Sequence, residues 1–309
     1  MLFITNKIEF LSSIKMKTRY SSHMYKQYFS YLLILAMFLW GGGWTALKIL
    51  TLDLSMDVII FWRFFIMSVS FLPILYFLKK PIILNKNNIK YIVASSVLNI
   101  AFMIFSFLGV KYGLAGAGSV IITTLSPIMT FIIVIILFGK KLLPLQYFGL
   151  ALGLIGGFIM LELDDLSLFN NGSNIYFLLC AVIWAGVTIL SQHSHKHIHP
   201  IHYSFLISVI ATISSFLYAY DSDLLSVFEQ GLYFWISLIY LAVLGQTVAT
   251  TIFFMASGKL GSEKTSSFMF LVPLFALSSA WLILDEPIEM HILIGGFTSI
   301  VAVLFINRK

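Results

Sequence analysis

Trp40, Trp44 and Lys48 recur at intervals of four in LAMFLWGGGWTALKIL, Leu35 to Leu50, and on a helix that spacing lays them along one stripe. Two indoles beside an ammonium can hold an organic anion or zwitterion, the flat faces taking its body and the cation its carboxylate. Gly41 and Thr45 flank the stripe, and small residues let a neighbouring helix approach closely. A second reading competes for Lys48, which stands near the end of its apolar run. Long basic side chains there snorkel to the headgroups, at the depth where tryptophans form belts. Trp40 lies too deep in the run for a belt. Arg63, in VIIFWRFFIMSVS, is the other cation inside an apolar run. A charge at midplane costs roughly 2.5–3.5 kcal/mol on insertion scales and less near an interface. Arg63 either pairs with Asp57, Asp53 or a headgroup, or joins Lys48 in making one half of a cavity electropositive.

The elements that position these groups follow from composition. Of 309 residues, 60% are hydrophobic and 10% charged, whereas soluble domains average roughly 25% charged. Too little polar surface remains to cover a water-soluble globule. A helix crossing the ~30 Å hydrocarbon core needs about 20 apolar residues. Ten runs qualify: Tyr31–Leu50, Val58–Leu78, Tyr91–Val110, Ala115–Phe138, Leu145–Leu161, Ile175–Leu190, Ile201–Tyr220, Leu232–Met255, Thr265–Leu284 and Met290–Ile306. The fifth and sixth are short. Barrel strands would alternate polar and apolar residues instead of running continuously apolar. The expectation is an all-α integral membrane protein with the lipid bilayer as its first partner. Cys180, the single cysteine, excludes an internal disulfide and reads as core packing.

Charge sets the orientation. The net charge of +6 does not point to nucleic acid, because it is distributed by side. Lys and Arg collect in the N-terminal tail, at Lys79–Lys90, at Lys140–Lys141, at Lys196, at Lys259 and Lys264, and at Arg308–Lys309. Acids collect on the alternate connections, at Asp53 and Asp57, Glu162 to Asp165, Asp221 to Glu229, and Asp285 to Glu289. Lys111, Glu9 and Glu263 are the exceptions. The positive-inside bias then places both termini in the cytoplasm.

The chain also repeats itself. Thr124–Gly157 aligns with Phe270–Val303, setting Pro127 on Pro273, Gly139–Lys140 on Asp285–Glu286 and Gly149 on Gly295. FLWGGGWTALK matches VIWAGVTILSQ, setting Trp40 on Trp184 and Lys48 on Gln192. Five spans per half force the second half to insert upside down, and the equivalent connections carry opposite charge as inversion requires. The division is a basic cytoplasmic tail (1–30), a first five-helix repeat (31–163) and a second (174–307). Inverted repeats are a device of transporters, with substrate bound near midplane where the halves meet.

These residues resemble the drug/metabolite transporter superfamily, specifically its ten-helix EamA-type permeases. The resemblance rests on WGGGWTALK, the Pro-centred fourth and ninth helices, DEP, and the Gly-rich fifth and tenth helices. The fourth helix here ends in Gly139-Lys140 where the family often has Gly-Glu. The resemblance implies a secondary transporter of the cytoplasmic (inner) membrane that exports amino acids or related metabolites. Its substrate is then a small molecule; no nucleic acid, cofactor or resident metal is expected, no enzymatic activity either, and a second copy, as a homodimer, is a candidate partner.

Other polar positions add to the candidate cavity. Asn99 and Gln246 fall at nearly matching places in the two repeats, and an amide in hydrocarbon needs several partners. Hydroxyl stripes run through Ser95 and Ser106, through Ser119, Thr123, Ser126 and Thr130, through Ser204 to Ser215, and to Thr250 beside Gln246. Such hydroxyls equally bond their own helix. Pro127 and Pro273 each remove a backbone donor and can kink a helix, which suits a gate or packing alone. No Asp or Glu lies deep in any span, which disfavours cation export through a membrane carboxylate. SQHSHKHIHPIH (Ser191–His202) holds five of the seven histidines. It is either a solvated loop or the metal- or pH-responsive element of a non-transporting sensor or scaffold. GLAGAG (Gly113–Gly118) lacks the preceding strand that a nucleotide site requires. The substrate-side set is therefore Trp40, Trp44, Lys48, Arg63, Asn99, Trp184 and Gln246, with Pro127 and Pro273 as gates. On this reading Lys48→Met abolishes or strongly reduces transport while the protein still inserts. Cysteines placed singly at positions 141 and 286 are expected to react with an impermeant maleimide from opposite sides of the membrane; reaction from one side refutes the inverted repeat.

Overall fold

A backbone in hydrocarbon must satisfy its N–H and C=O groups internally. The described chain does so with helices, and no strand occurs among the described residues. The computed structural model describes residues 27–50, 54–112, 115–161, 174–285 and 290–308. The basic tail before Gln27, Asp53, the Glu162–Asp165 group and the segment 286–289 lie outside the described residues.

Nine helices there are long and apolar enough to cross a membrane. They are α1 (Gln27–Leu50), α2 (Met56–Leu78), α3 (Lys86–Tyr112), α4 (Ala115–Phe138), α6 (Asn174–Ser194), α7 (Pro200–Tyr218), α8 (Leu232–Leu260), α9 (Ser262–Leu284) and α10 (Met290–Asn307). A further apolar helix, α5 (Pro144–Met160), is shorter at 17 residues. Outward side chains such as Ile136 (73% exposed) and Phe297 (68%) are large and apolar, as lipid requires and water would penalise. The protein is a multi-pass membrane protein.

Several boundaries lie beyond the sequence reading, among them the start of α3 at Lys86 and the end of α8 at Leu260. The first helix begins at Gln27, not Tyr31, so four residues assigned to the tail belong to the span. α6 runs on to Ser194 because its polar end is satisfied by protein. Ser191 Oγ lies 2.6 Å from Ser257 Oγ, and Gln192 Oε1 accepts from the Ser262 N–H at 2.8 Å. The shortness of the fifth run holds.

Packing pairs the helices across the chain. α5 lies most extensively against α10, α3 and α4 against α6, and α2 against α7. At the α5–α10 crossing the backbones nearly touch. A Cβ on Gly156 would lie 2.9 Å from the Gly295 carbonyl, and one on Gly295 would lie 2.6 Å from the Gly156 carbonyl. Only glycine permits that approach. α1 leans instead on α8 and α9: Tyr240 Oη donates to the Leu39 carbonyl at 3.1 Å, and Thr45 Oγ1 lies 2.6 Å from Ser279 Oγ. The aligned ends of α4 and α9 share a conformation, since Gly139 (φ 60°) and Asp285 (φ 54°) both enter the left-handed region. Glycine does so freely and Asp with modest cost.

Two helices are irregular. α8 contains an eleven-residue π segment, Tyr240–Thr250, where Thr247 and Thr250 hydroxyls bond the carbonyls five residues back, at 3.1 and 3.3 Å. α9 passes through a 3-10 turn, Phe268–Leu271, directly before Pro273. Pro127 sits within an unbroken α4. One half of the bundle is filled by an aromatic core that includes Phe131, Tyr203, Phe253, Phe254, Phe268 and Phe270. Gly156→Val is expected to destabilise the protein by about 1–3 kcal/mol through overpacking, read as a lowered unfolding temperature in detergent, while Phe297→Ala on the lipid face leaves it unchanged.

Candidate functional site

Beyond the aromatic core, toward the end where α1 finishes and α2 begins, the helices part around a cavity of about 930 Å³, part of it open space. α1, α2, α3, α4, α6, α8 and α9 all contribute to its wall.

Trp40 and Trp44 of the α1 stripe line it, together with Trp184 of α6. Trp40 and Trp184 meet edge to face at 5.4 Å, and Phe102 lies 5.2 Å from Trp184. The two aligned tryptophans differ in one respect. Trp40 Nε1 donates to the Gly245 carbonyl at 3.0 Å, a group presented by the π segment. Trp184 Nε1 is buried with no partner among the described residues.

Arg63 is the one charged residue in the wall among the described residues. Its partner is Gln246. The amide orientation that satisfies both neighbours points the oxygen at the guanidinium, 2.5 Å from Nη2 and 3.3 Å from Nε, and the nitrogen at Thr250 Oγ1, 3.1 Å away. No ion pair joins Arg63 to Asp57, whose carboxylate accepts from Ser222 Oγ. A guanidinium offers five N–H donors and no acceptor, so two bonds to one amide leave it able to bind a carboxylate in a fork.

Lys48 and Asn99 stand elsewhere. Lys48 is exposed and forms no part of the wall. A four-residue step on a 3.6-residue helix advances about 40°, so two steps from Trp40 turn Lys48 about 80° away. Asn99 is buried, but its Nδ2 donates to the Ser95 carbonyl of its own helix at 2.9 Å. Both proline neighbourhoods reach the wall, through Thr123 and Val272. Pro127 has no N–H for the carbonyl four residues back, which belongs to Thr123.

Ser106, Thr123 and Thr250, seen in the sequence only as stripes, line the cavity. Phe102, Met103 and Phe107 complete it from α3. Nothing in their types distinguishes them from core residues. Cys180 packs in the core, its Sγ 3.4 Å from the Phe102 carbonyl.

His199 and His202 lie with ring centroids 5.4 Å apart, and the others make separate contacts. His193 stacks on Phe138 at 5.0 Å, His197 stacks on Tyr91 at 5.5 Å, and His195 Nε2 meets the Phe254 carbonyl at 2.8 Å. Burial, followed by Lys259 and His199, holds the His195 imidazole below its usual range. Burial, Lys80 and His202 do the same for His199. No group of three His, Cys, Asp or Glu residues among the described residues is placed to hold a metal ion.

Comparison with known proteins adds to this geometry. The profile of the EamA-like transporter family matches residues 28–162 and again 172–308. An uncharacterized transporter of Bacillus subtilis, YoaV, is 25% identical, covering 84% of this chain and 89% of its own. An uncharacterized transporter of Synechocystis is 28% identical over 90% and 89%. A chloroplastic WAT1-related protein of Arabidopsis thaliana is 26% identical over 64% and 50%. One crystal structure superposes with a TM-score of 0.73 at 15% identity, covering 91% of this chain and 98% of that one; this likeness concerns the fold alone.

Lys48→Met is expected to leave the affinity for cavity ligands within about threefold of wild type, a surface change away from the wall. Gln246→Leu strips Arg63 of its acceptor and is expected to cost about 1–3 kcal/mol. Thermal unfolding in detergent, with and without ligand, reads both.

Proposed function

The chain belongs to the EamA-like transporter family, and from that premise we propose that it is a secondary transporter that exports a small organic solute bearing a carboxylate, by alternating access. Family members are membrane transporters and not, in general, enzymes. The observation that carries the substrate class is the Arg63 guanidinium set in an aromatic wall that holds no carboxylate among the described residues. An organic anion supplies the missing charge. The indoles take an apolar body, and the unpaired Trp184 N–H offers a donor to a further acceptor on the solute. An amino acid zwitterion also fits, its ammonium resting against indole faces by cation–π attraction.

Alternating access is supported by symmetry. The family profile matches the chain twice, and equivalent left-handed caps end α4 and α9. α1 packs on α8 and α9 much as α6 packs on α3 and α4. If the second half is inverted, exchanging the packing of the halves opens the opposite end around the same site. With both termini cytoplasmic, the described conformation is the releasing one, open away from the cytoplasm. Its seal is the aromatic core. The 3-10 turn before Pro273 gives α9 a place to bend, whereas Pro127 sits within an unbroken α4.

The test is solute exchange by the purified protein in liposomes, using radiolabelled phenylalanine and 3-phenylpropionate as probes. Wild type exchanges at least one of them. Arg63→Gln is expected to slow exchange by a factor of about ten or more, since truncating a buried charge partner costs roughly 2–5 kcal/mol. Wild-type flux in Arg63→Gln removes the carboxylate assignment.

A further inference from the structure

The two aligned tryptophans are the same residue in unequal circumstances. The family matches begin at 28 and 172, 144 residues apart, and end at 162 and 308, 146 apart. Trp184 follows Trp40 by 144. Phe253 stands against both indoles, its centroid 5.0 Å from Trp40 and 6.1 Å from Trp184. Their N–H groups differ. Trp40 Nε1 donates to the Gly245 carbonyl, which also accepts from Thr250 Oγ1. Trp184 is 7% exposed, and its Nε1 has no partner among the described residues. An indole nitrogen is a donor only, and a buried donor left unsatisfied is costly.

Backbone that could complete Trp184 lies beside it. Applied to Gly245, the same two offsets point to Asn99 to Ala101 of α3. α3 touches α6 on either side of that stretch. A Cβ on Gly186 would lie 3.1 Å from the Leu98 side chain, and the Phe102 ring lies 5.2 Å from Trp184. α3 is α-helical throughout, whereas α8 presents the Gly245 carbonyl from its π segment. A helical carbonyl bonded once keeps a second lone pair, so α3 holds acceptors that its present form does not offer to the indole. The amides repeat the contrast. Gln246 reaches Arg63 from the π segment, while Asn99, at the nearly matching place, is folded back on Ser95.

We propose that the two indole N–H groups trade roles as the site changes sides. This rests on the alternating-access reading and adds the residue that meets the solute in each state. In the described conformation α8 holds Trp40, and Trp184 is left for an oxygen on the solute. In the opposite conformation α3 holds Trp184 through a carbonyl of Asn99 to Ala101. Trp40, released from Gly245, is then left for the solute. One donor is always taken by backbone and the other is always available, whichever end is open. The solute this arrangement fits carries a second hydrogen-bond acceptor besides its carboxylate, as an oxo or hydroxy acid does. An exporter loads it at Trp40 and releases it from Trp184.

The experiment is exchange of radiolabelled acids by the full chain in right-side-out and inside-out membrane vesicles, with vesicles lacking the protein subtracted. The reference probe is 3-phenylpropionate, which has no second acceptor. Phenylpyruvate and 3-(4-hydroxyphenyl)propionate carry one at opposite ends of the molecule. On each face the half-saturation concentration of the reference is divided by that of each other acid. The ratio cancels any shift between conformations, which moves all the probes alike. Wild type is expected to favour at least one acceptor-bearing acid by about two- to tenfold on both faces, the range for one net hydrogen bond. Trp184→Phe is expected to lose that preference on the face where α1 ends and to keep it on the other. Trp40→Phe is expected to do the reverse. Benzothienylalanine at each position keeps the two-ring shape and lacks only the N–H, so it is expected to give the same pattern where phenylalanine disturbs folding. Loss on both faces in either variant overturns the proposal, as does retention on both faces in both variants or no preference in wild type. Absence of exchange of all three acids by wild type defeats the transport reading instead, whereas exchange without a sided loss defeats only the trade between indoles.

Discussion

Hydrocarbon offers no hydrogen bonds, and that absence governs where each polar group of this chain can stand. The hydroxyls of Ser96, Thr123, Ser126, Thr130 and Thr188 each return to a carbonyl four residues back. Where helices must be joined, polar side chains pair across them, as Ser68 does with Ser208 and Thr212 at 3.0 Å. The groups left over are few, and several cluster where the protein departs from a packed bundle. Trp184 Nε1 stands at the cavity, and the Ser262 and Thr265 hydroxyls stand beside Glu263. A polar group that the fold does not satisfy is the clearest signpost this environment provides.

The cavity exists because regular packing is interrupted along two of the helices that line it. In α8 the π segment widens the turn, and the Gly245 carbonyl accepts from both Trp40 and Thr250. On the same segment Gln246 reaches Arg63. In α9 the 3-10 turn places Met269 in the wall just ahead of Pro273. π segments inside α-helices recur at functional sites, and here one carries an orienting amide.

Much of this was readable from residue types. Continuous apolar runs report helices faithfully in a membrane because the solvent enforces them, and the tryptophans at four-residue spacing did converge on one wall. Lys48 misled because a stripe drawn at intervals of four drifts around the cylinder. Asn99 misled because an amide can satisfy itself on its own backbone. The π segment left no trace in composition, since Tyr240–Thr250 reads as an ordinary apolar helix. Glu263 was visible only as an exception to the charge pattern. It is buried in the first turn of α9 and paired with Lys140, 123 positions away, and no local rule connects the two.

Cys180 is completely enclosed, with its sulfur turned to a carbonyl of α3. The natural chain therefore presents no thiol to an aqueous reagent while folded. Any sulfhydryl introduced by design would report without a background, and the native one would become reactive only when α3 and α6 separate, which makes it a built-in sentinel for loss of the fold.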